Sequence, residues 1–572
     1  MKVLLRVGFY LIFILLVQAC STRRLVPDGK YLVNKNRIEI ENPTNQKLGF
    51  SKSDLAAFSG QRTNKQLLGT RFPLWVHYKT IRKTDRKFWK WVNEKIGKPP
   101  IYLDNSLTQS GADQMGRYLR NLGYFNSEIN TIANTSKFKA EVIYTINPKQ
   151  PYTIRNFEYA IEDTALAKWV KPLELQTELT EGANYNAYKL DEERDRITDY
   201  LKNNGFYAFS RDYIYFEVDS NFKEQILDVR LLIDSLKTDQ GNKAHKIYLI
   251  NKVSVYPNFI PAQANQPLTD SIKLDLKAGR SRKPYSMHFY SVGNPRIRPQ
   301  TFGQIVQLHE KDPFSLRKLK QTYRGLGNFR IFAITDIDFK TVSRPEADTG
   351  LLDVNIKLQR AKVHAYSVEV EGTNAAGDLG LRGSLVYSNK NLFRGAELFR
   401  LSLRGGGEAQ RLTAIAGGEE LASQSDIFNT YEFGVNANLV IPRFLSPIRL
   451  RNFVLEYQPK TTFNLGYSSE IRSNYDRFIT EATMSYDWMT SPTVHHILTP
   501  FNLNSVRVKP SAAFQQILDK EINQRIKDQY SNHLIFGLKY SFIFNNQNIN
   551  KVKNFSYFRA NLESSGNLLS LF

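Results

Sequence analysis

The chain is 572 residues long, with 41% apolar residues, 78 Lys and Arg against 55 Asp and Glu, and one cysteine. That length calls for several domains with real cores, and a single cysteine rules out any intrachain disulfide. The formal charge of +23 points to anionic surroundings. Lys and Arg are nevertheless spread along the chain, with no zinc-ligand set and no aromatic RNA-binding signature, which excludes nucleic acid and leaves lipid phosphates as the anionic partner.

Residues 1–19 read as a secretory signal. Lys2 and Arg6 form a basic start, and Val7 to Val17 an apolar stretch too short for a comfortable membrane span. Val17-Gln18-Ala19-Cys20 resembles the lipobox of bacterial lipoproteins, which makes Cys20 the lipidated first residue of the mature chain. The alternative, an ordinary cleaved signal with a cysteine there by chance, is disfavoured because Cys20 is the only one.

A repeat follows. Tyr118-Leu119-Arg120-Asn121-Leu122-Gly123-Tyr124-Phe125, Tyr200-Leu201-Lys202-Asn203-Asn204-Gly205-Phe206-Tyr207 and Tyr323-Arg324-Gly325-Leu326-Gly327-Asn328-Phe329 each run a helical stretch into a Gly and then an aromatic. Glycine just past a helix takes the left-handed conformation that closes it, so Gly123, Gly205 and Gly327 are predicted helix C-caps. Each is followed by an alternating strand, at 141–146, 227–233 and 352–358. Three α+β units are therefore expected, at 20–150, 151–240 and 246–360.

The first unit carries an insertion. Its segment 79–91 mixes six basic residues with Phe88, Trp89 and Trp91. Two readings stand: a surface-seeking membrane helix, or a solvated basic helix whose Trp residues pack on the unit's own core. In the second unit, Asp191-Glu192-Glu193 before Arg194 reads as the acidic first turn of a helix. In the third, Arg280-Ser281-Arg282-Lys283-Pro284 through Arg296-Ile297-Arg298-Pro299 reads as a basic loop.

After about Ala361 the periodicity changes to strands of roughly ten residues. Phe399, Leu401 and Leu403 alternate with Arg400, Ser402 and Arg404, and Phe433, Val435, Ala437, Leu439 and Ile441 with Gly434, Asn436 and Asn438. The same pattern returns at 463–468 and 534–544. One apolar, aromatic face against one small, polar face is the pattern of an antiparallel transmembrane β-barrel; a soluble sandwich would need fewer flanking aromatics. Residues 509–532 read as a helix-bearing loop between strands.

Three serial α+β units before such strands, with Ala365-Tyr366-Ser367-Val368-Glu369-Val370-Glu371 entering and Asn391-Leu392-Phe393-Arg394-Gly395 at the first turn, resemble the BamA/TamA outer-membrane assembly family. With Cys20 added, the chain resembles the lipidated TamA-like proteins of Bacteroidetes-type bacteria. The resemblance implies that the α+β units are POTRA domains, periplasmic modules whose sheet edges accept client strands. Asn391, Leu392, Phe393 and Gly395 would then form the first barrel turn. The implied partners are outer-membrane lipid, unfolded outer-membrane or secreted client proteins, and an inner-membrane-anchored protein that spans the periplasm. Ser21-Thr22-Arg23-Arg24 lacks the acidic pattern of surface-displayed lipoproteins, which places the repeats on the periplasmic side. Two departures from the family stand out. No Arg-Gly-Phe/Tyr occurs after residue 361, and 361–572 supply about ten strands where the family has sixteen, so the segment reads as the N-terminal part of a barrel.

Chemistry-bearing motifs are missing from the sequence. There is no Gly-x-Ser-x-Gly elbow, no Gly-Lys-Ser/Thr phosphate loop and no His-Glu-x-x-His, and the eight His are scattered. His495 and His496 would point to opposite faces of one strand. The expectation is therefore no enzyme, no cofactor and no metal. It is a factor that binds client strands at the repeats and inserts or exports them at the barrel, with a polypeptide-secretion pore and a non-transport tethering lipoprotein as alternatives.

Overall fold

The computed structural model describes residues 26–41, 48–64, 71–83, 85–221, 224–238, 241–243, 245–261, 270–276, 285–291, 296–342, 349–375, 378–409, 428–445, 459–547 and 555–566. Cys20 and the predicted signal lie outside them. The chain divides into two compact units, one reaching Leu201 and including Ala208–His245, the other comprising Lys202–Tyr207 and Lys246–Phe572.

The first unit holds two α+β repeats. In repeat one, strand β1 (Leu32–Ile40) is followed by helices α1 (Lys52–Ala56), α2 (Phe72–Thr80), α3 (Lys87–Lys95) and α4 (Asn105–Asn121), then β2 (Glu128–Ser136) and β3 (Lys139–Asn147). The sheet order is β1-β3-β2, with β1 parallel and β2 antiparallel to β3. Alternation along β3 buries Ala140, Val142, Tyr144 and Ile146 on one face. Thr108, Gly111, Ala112, Met115 and Leu119, at helical spacing, form the buried stripe of α4. Val142, Tyr144 and Ile146 share one core cluster with Ala112, Met115 and Leu119. Full burial of Met115 or Leu119 stabilises the repeat by about 1.5–3 kcal/mol each. Helix α4 starts at Asp104, whose carboxylate accepts from Ser106 N at 2.8 Å and Leu107 N at 3.3 Å.

Helix α4 ends in a Schellman turn. Gly123 has φ +89°, its N–H donates to Arg120 O at 3.0 Å, and Tyr124 N–H donates to Leu119 O at 3.0 Å.

Repeat two runs β4 (Thr153–Ala160), α5 (Thr164–Glu174), α6 (Ala187–Asn203), β5 (Ile214–Asn221) and β6 (Ile226–Ile233), with sheet order β4-β6-β5. The short hairpin β7 (Leu236–Thr238) and β8 (Gly241–Lys243) follows. Asp191-Glu192-Glu193 is not the first turn of α6. The helix begins a turn earlier because Asn186 Oδ1 caps it, accepting from Tyr188 N at 2.9 Å. The acidic run instead serves tertiary contacts. Asp191 pairs with Arg211 at 2.5 Å, and Glu193, 5% exposed, accepts from Tyr159 Oη and from Arg196 Nε at 2.8 Å. Burial, then the hydrogen bond to Glu193 and the charge of that carboxylate, push the Tyr159 hydroxyl pKa up.

The second unit opens with repeat three: β9 (Ile247–Tyr256), β10 (Asp270–Leu276), β11 (Tyr285–Ser291), α7 (Leu316–Asn328), β12 (Phe332–Val342) and β13 (Thr349–Arg360), in sheet order β10-β11-β9-β13-β12. The predicted basic loop is only partly a loop. Between its Arg- and Pro-rich ends, β11 joins the sheet, with Met287 and Phe289 in the core and Ile297 beside them. The alternation in Ser286-Met287-His288-Phe289-Tyr290 is what the basic flanks obscure. Gly327 is a second correction. It lies inside α7 with no left-handed φ, the helix runs on to Asn328, and Arg330 takes the left-handed place at φ +54°.

Nine antiparallel strands in sequential order complete the unit: β14 (His364–Ala375), β15 (Asp378–Asn389), β16 (Leu398–Ala409), β17 (Thr430–Ile441), β18 (Lys460–Arg472), β19 (Tyr475–Ser491), β20 (Val494–Pro510), β21 (His533–Asn545) and β22 (Tyr557–Ser565). They number one fewer than the sequence estimate among the described residues, partly because several run past ten residues. Helices α8 (Ala512–Lys520) and α9 (Gln524–Gln529) fill the predicted loop and pack Phe514 and Leu518 against Tyr475 and Val508.

Candidate functional site

The register of the large sheet fixes two chemically different faces. One face takes Tyr366, Val368 and Val370 on β14, Leu385 and Tyr387 on β15, and Phe399, Leu401 and Leu403 on β16. It continues through Phe433, Val435, Ala437 and Leu439 on β17 and Phe463, Leu465 and Tyr467 on β18. From β14 through β18 this face carries no Asp, Glu, Lys or Arg among the described residues. It is uncovered: Val368 is 74% exposed and Leu465 59%.

The opposite face holds Glu369, Glu371, Arg382, Arg400, Arg404, Glu408, Glu432, Lys460, Glu470 and Arg472. Glu432 stands directly across from Glu470, a like-charge pair that is unfavourable alone. It is offset by Arg382 on Glu432 at 2.8 Å and by Arg477 on Glu470 at 2.6 Å, with Arg472 also paired to Glu470. Arg382, Glu432, Glu470 and Arg477 line a hollow of about 390 Å³ together with Arg404. His495 pairs with Asp487 at 2.8 Å, whereas His496 stacks on Trp488 at 5.1 Å, so the two rings do not converge. Among the described residues no group of three or more His, Cys, Asp or Glu is placed to hold a metal ion.

The turn between β15 and β16 joins this sheet to repeat three. Asn391 Oδ1 accepts from Ala396 N at 3.0 Å, and Asn391 Nδ2 donates to Arg296 O at 2.9 Å. Arg298 N donates to Arg394 O at 2.8 Å, and Ala396 is buried in the core of repeat three. Left-handed φ falls on Arg394 (+66°) and Ala396 (+63°), not on Gly395. Gly395 matters for a different reason: a Cβ there would displace the Glu397 carboxylate, which accepts from Phe393 N at 3.1 Å and Gly395 N at 2.9 Å. Leu392 N donates to Glu397 O at 3.2 Å, while the Phe393 ring is exposed. Glu397, 4% exposed, is the residue that sequence reasoning missed. Its only signal is an acid two places after the turn glycine.

Gly205 has φ +104°, and its carbonyl accepts from Tyr248 N at 2.8 Å. The next ring but one, Tyr207, packs on Tyr248, Phe314 and Phe339. Gly123, Gly205 and the Asn391–Gly395 turn thus occupy separate places, and Gly327 has no turn role.

Strand edges are the remaining feature. In repeats one and two the β1 and β4 edges are partly covered, through Val33 N to Ile101 O at 3.0 Å and Ile154 N to Ala183 O at 2.9 Å. Strands β2, β5 and β12 end their sheets, and β14 and β22 end the large one. Each of the five carries exposed apolar side chains: Ile132, Val218, Ile334, Val370 and Leu562. An edge of unpaired N–H and C=O groups is a template for another strand.

No protein-family model and no curated protein matches the chain. Among solved structures it is similar to BamA from Haemophilus ducreyi lacking POTRA domains 1-3, at 12% identity and TM-score 0.37 over 72% of this chain and 64% of that one. It is also similar to BamA POTRA3-5 from Haemophilus influenzae (12% identity, TM-score 0.29, 59% of this chain, 99% of that one). A third is CdiB from Acinetobacter baumannii (11% identity, TM-score 0.23, 73% and 68%). The chain thus spans slightly less than two thirds of the Haemophilus ducreyi BamA chain.

Proposed function

We propose that this chain is an outer-membrane assembly or translocation factor whose α+β repeats bind unfolded client strands and whose large sheet, the N-terminal part of a barrel, delivers them to the membrane. The observation that carries the reading is the segregation of charge across β14–β18, all on one face, with the other face apolar and uncovered. Such a sheet suits lipid on one side and water on the other. Backbone groups cannot be left unpaired in lipid, so the outer edge of β14 calls for a partner strand, and an incoming client strand supplies one. Cys20 anchors the mature N-terminus in the outer membrane, the repeats lie in the periplasm, and the clients are unfolded outer-membrane or secreted proteins. A periplasm-spanning protein anchored in the inner membrane hands them over. Strand pairing needs no covalent chemistry, cofactor or metal, so no catalytic residue is assigned.

The test is a photocrosslinking residue placed at Val370 on the β14 edge or at Leu465 in mid-sheet, in the full chain in vesicles, offered an unfolded outer-membrane β-barrel polypeptide. Capture at 370 and not at 465 is the expected result. Equal capture at both, or none at either, overturns the reading.

A further inference from the structure

The insertion in repeat one has features that strand handling does not use. Helix α3 contains no buried residue. It meets α2 through Asn93, whose Oδ1 lies 3.0 Å from His77 Nδ1, and Trp89 is half-buried beneath the Lys83 ammonium at 5.3 Å. One helical turn apart on the outer side, Phe88 is 64% exposed and Trp91 54%. The alternative in which the Trp residues pack into the core therefore fails for Trp91. Arg82, Lys83, Arg86, Lys87, Lys90 and Lys95 are all exposed around these rings, against only Asp85 and Glu94.

Two large rings set among cations are costly to leave in water, and each part finds its complement at a lipid headgroup layer. Trp and Phe sit at the boundary of headgroup and acyl chain, while lysine stems lie along apolar surface and carry their charge to the phosphates. Each cation close to an anionic surface adds attraction that salt weakens. We infer that the outer face of α3, with Arg82, Lys83 and Arg86 before it, docks on an anionic lipid surface. Phe88 and Trp91 enter the headgroup layer and the cations pair with lipid phosphates. The inference does not depend on whether β14–β22 span a membrane.

The test uses the full chain with Cys20→Ser and Glu94→Cys, labelled at position 94 with an environment-sensitive dye and diluted from detergent onto vesicles. Vesicles of phosphatidylcholine with phosphatidylglycerol should shift the emission to the blue and brighten it several-fold. Pure phosphatidylcholine should do so weakly, and added salt should reverse the effect. Lys87→Glu with Lys90→Glu should abolish the shift, and so, separately, should Phe88→Ser with Trp91→Ser; all four residues are exposed, so both pairs leave the fold intact. No shift on phosphatidylglycerol vesicles overturns the inference. So does an equal shift on both lipids, a shift that survives both variant pairs, or a shift produced by an RNA oligonucleotide and not by vesicles.

Discussion

Gly123 and Gly327 occupy equivalent places in the sequence repeat, yet alanine at the two sites should change stability in opposite directions. At Gly123 the backbone is at φ +89°, where an L side chain costs about 1–2 kcal/mol. A Cβ there would lie 2.7 Å from Tyr185 O and 3.4 Å from Tyr152 O. Neither neighbour yields easily. Tyr152 N donates to Gly123 O at 2.9 Å, Tyr185 N to Tyr152 O at 2.9 Å, and Gly182 N to Ile154 O at 2.7 Å, which stitches that chain onto β4. Overpacking of this kind costs roughly 1–3 kcal/mol, so Gly123→Ala should destabilise its surroundings by about 2–5 kcal/mol. At Gly327 a Cβ meets nothing within 4 Å and the residue lies in a helix, so Gly327→Ala should stabilise α7 by roughly 0.5–1 kcal/mol. Hydrogen exchange read by mass spectrometry on the full chain in detergent reports both sites. Exchange over 119–125 should speed up at least about thirtyfold in the first variant, since each 1.4 kcal/mol is tenfold. Exchange over 318–328 should slow in the second. Changes of the same sign at the two sites would refute the distinction between a capping glycine and a helical one.

Leu401→Arg should impair membrane assembly by roughly 2–4 kcal/mol while Ser402→Arg is mild, and cysteines at the two positions should separate between lipid-soluble and water-soluble thiol reagents; equal labelling from water would remove the sheet from the membrane. Gly395→Ala pushes a methyl group into the Glu397 carboxylate and strands its two N–H partners, which should cost about 1–3 kcal/mol and show as lost exchange protection over 391–397. Cys20→Ala should abolish incorporation of a fatty-acid probe while leaving the chain in the membrane fraction; continued labelling would place the lipid elsewhere. The Asp104 carboxyl is held below the usual carboxylate range, first by the Ser106 hydroxyl and then by the Ser106 and Leu107 N–H groups. Its support for the start of α4 is therefore complete above the ordinary carboxylate pKa and lost as pH falls through the depressed value, visible as acid-dependent Ser106 and Leu107 amide shifts that disappear in Asp104→Asn.

The repeats were legible because their strands alternate and their aromatics are buried: Tyr124, Phe206 and Phe329 are all 2–3% exposed. The third glycine misled because what the repeats share is the buried aromatic. In Gly123-Tyr124 and Gly205-Phe206 the ring follows the glycine directly, and the left-handed residue turns it into the core. In Gly327-Asn328-Phe329 an extra residue intervenes, the helix keeps winding to deliver Phe329, and the reversal passes to Arg330. That spacing was visible in the sequence. Other features were not. Glu397 is read as an ordinary surface acid until the turn wraps around it, and β11 is hidden by the charge on either side. The salt bridge from Arg382 to Glu432 joins residues fifty positions apart and requires the register, which alternation does not supply.

Between lipid and a second protein layer as the cover for the apolar face, the placement of the aromatics decides. A row of aliphatic side chains crosses β16–β20 at Leu401, Ala437, Leu465, Ala482 and Leu503, each opposite the next, and meets Tyr387 at one end and Phe536 at the other. Toward the turn that meets repeat three come Phe399, Phe463, Phe501, Tyr486 and Trp488; toward the other end come Tyr467, Phe433 and Phe478. A packed protein core has no reason to hold the rings of β16–β20 to two bands, because it is apolar throughout. A bilayer does: its middle accepts plain hydrocarbon, and its two interfaces favour Tyr and Trp, whose polar atoms reach water while the ring stays in the chains. At the turn end the face also gains polar atoms where an interface supplies water: Tyr486 Oη donates to Leu445 O at 2.7 Å, and His496 Nδ1 lies 2.8 Å from Tyr540 Oη. The same strands put Arg382, Glu432, Glu470 and Arg477 on the opposite face, which only water or a polar guest can solvate. A sheet with lipid demanded on one side and water on the other leaves its edge strands, β14 and β22, as the places where a third element, an added strand, satisfies both.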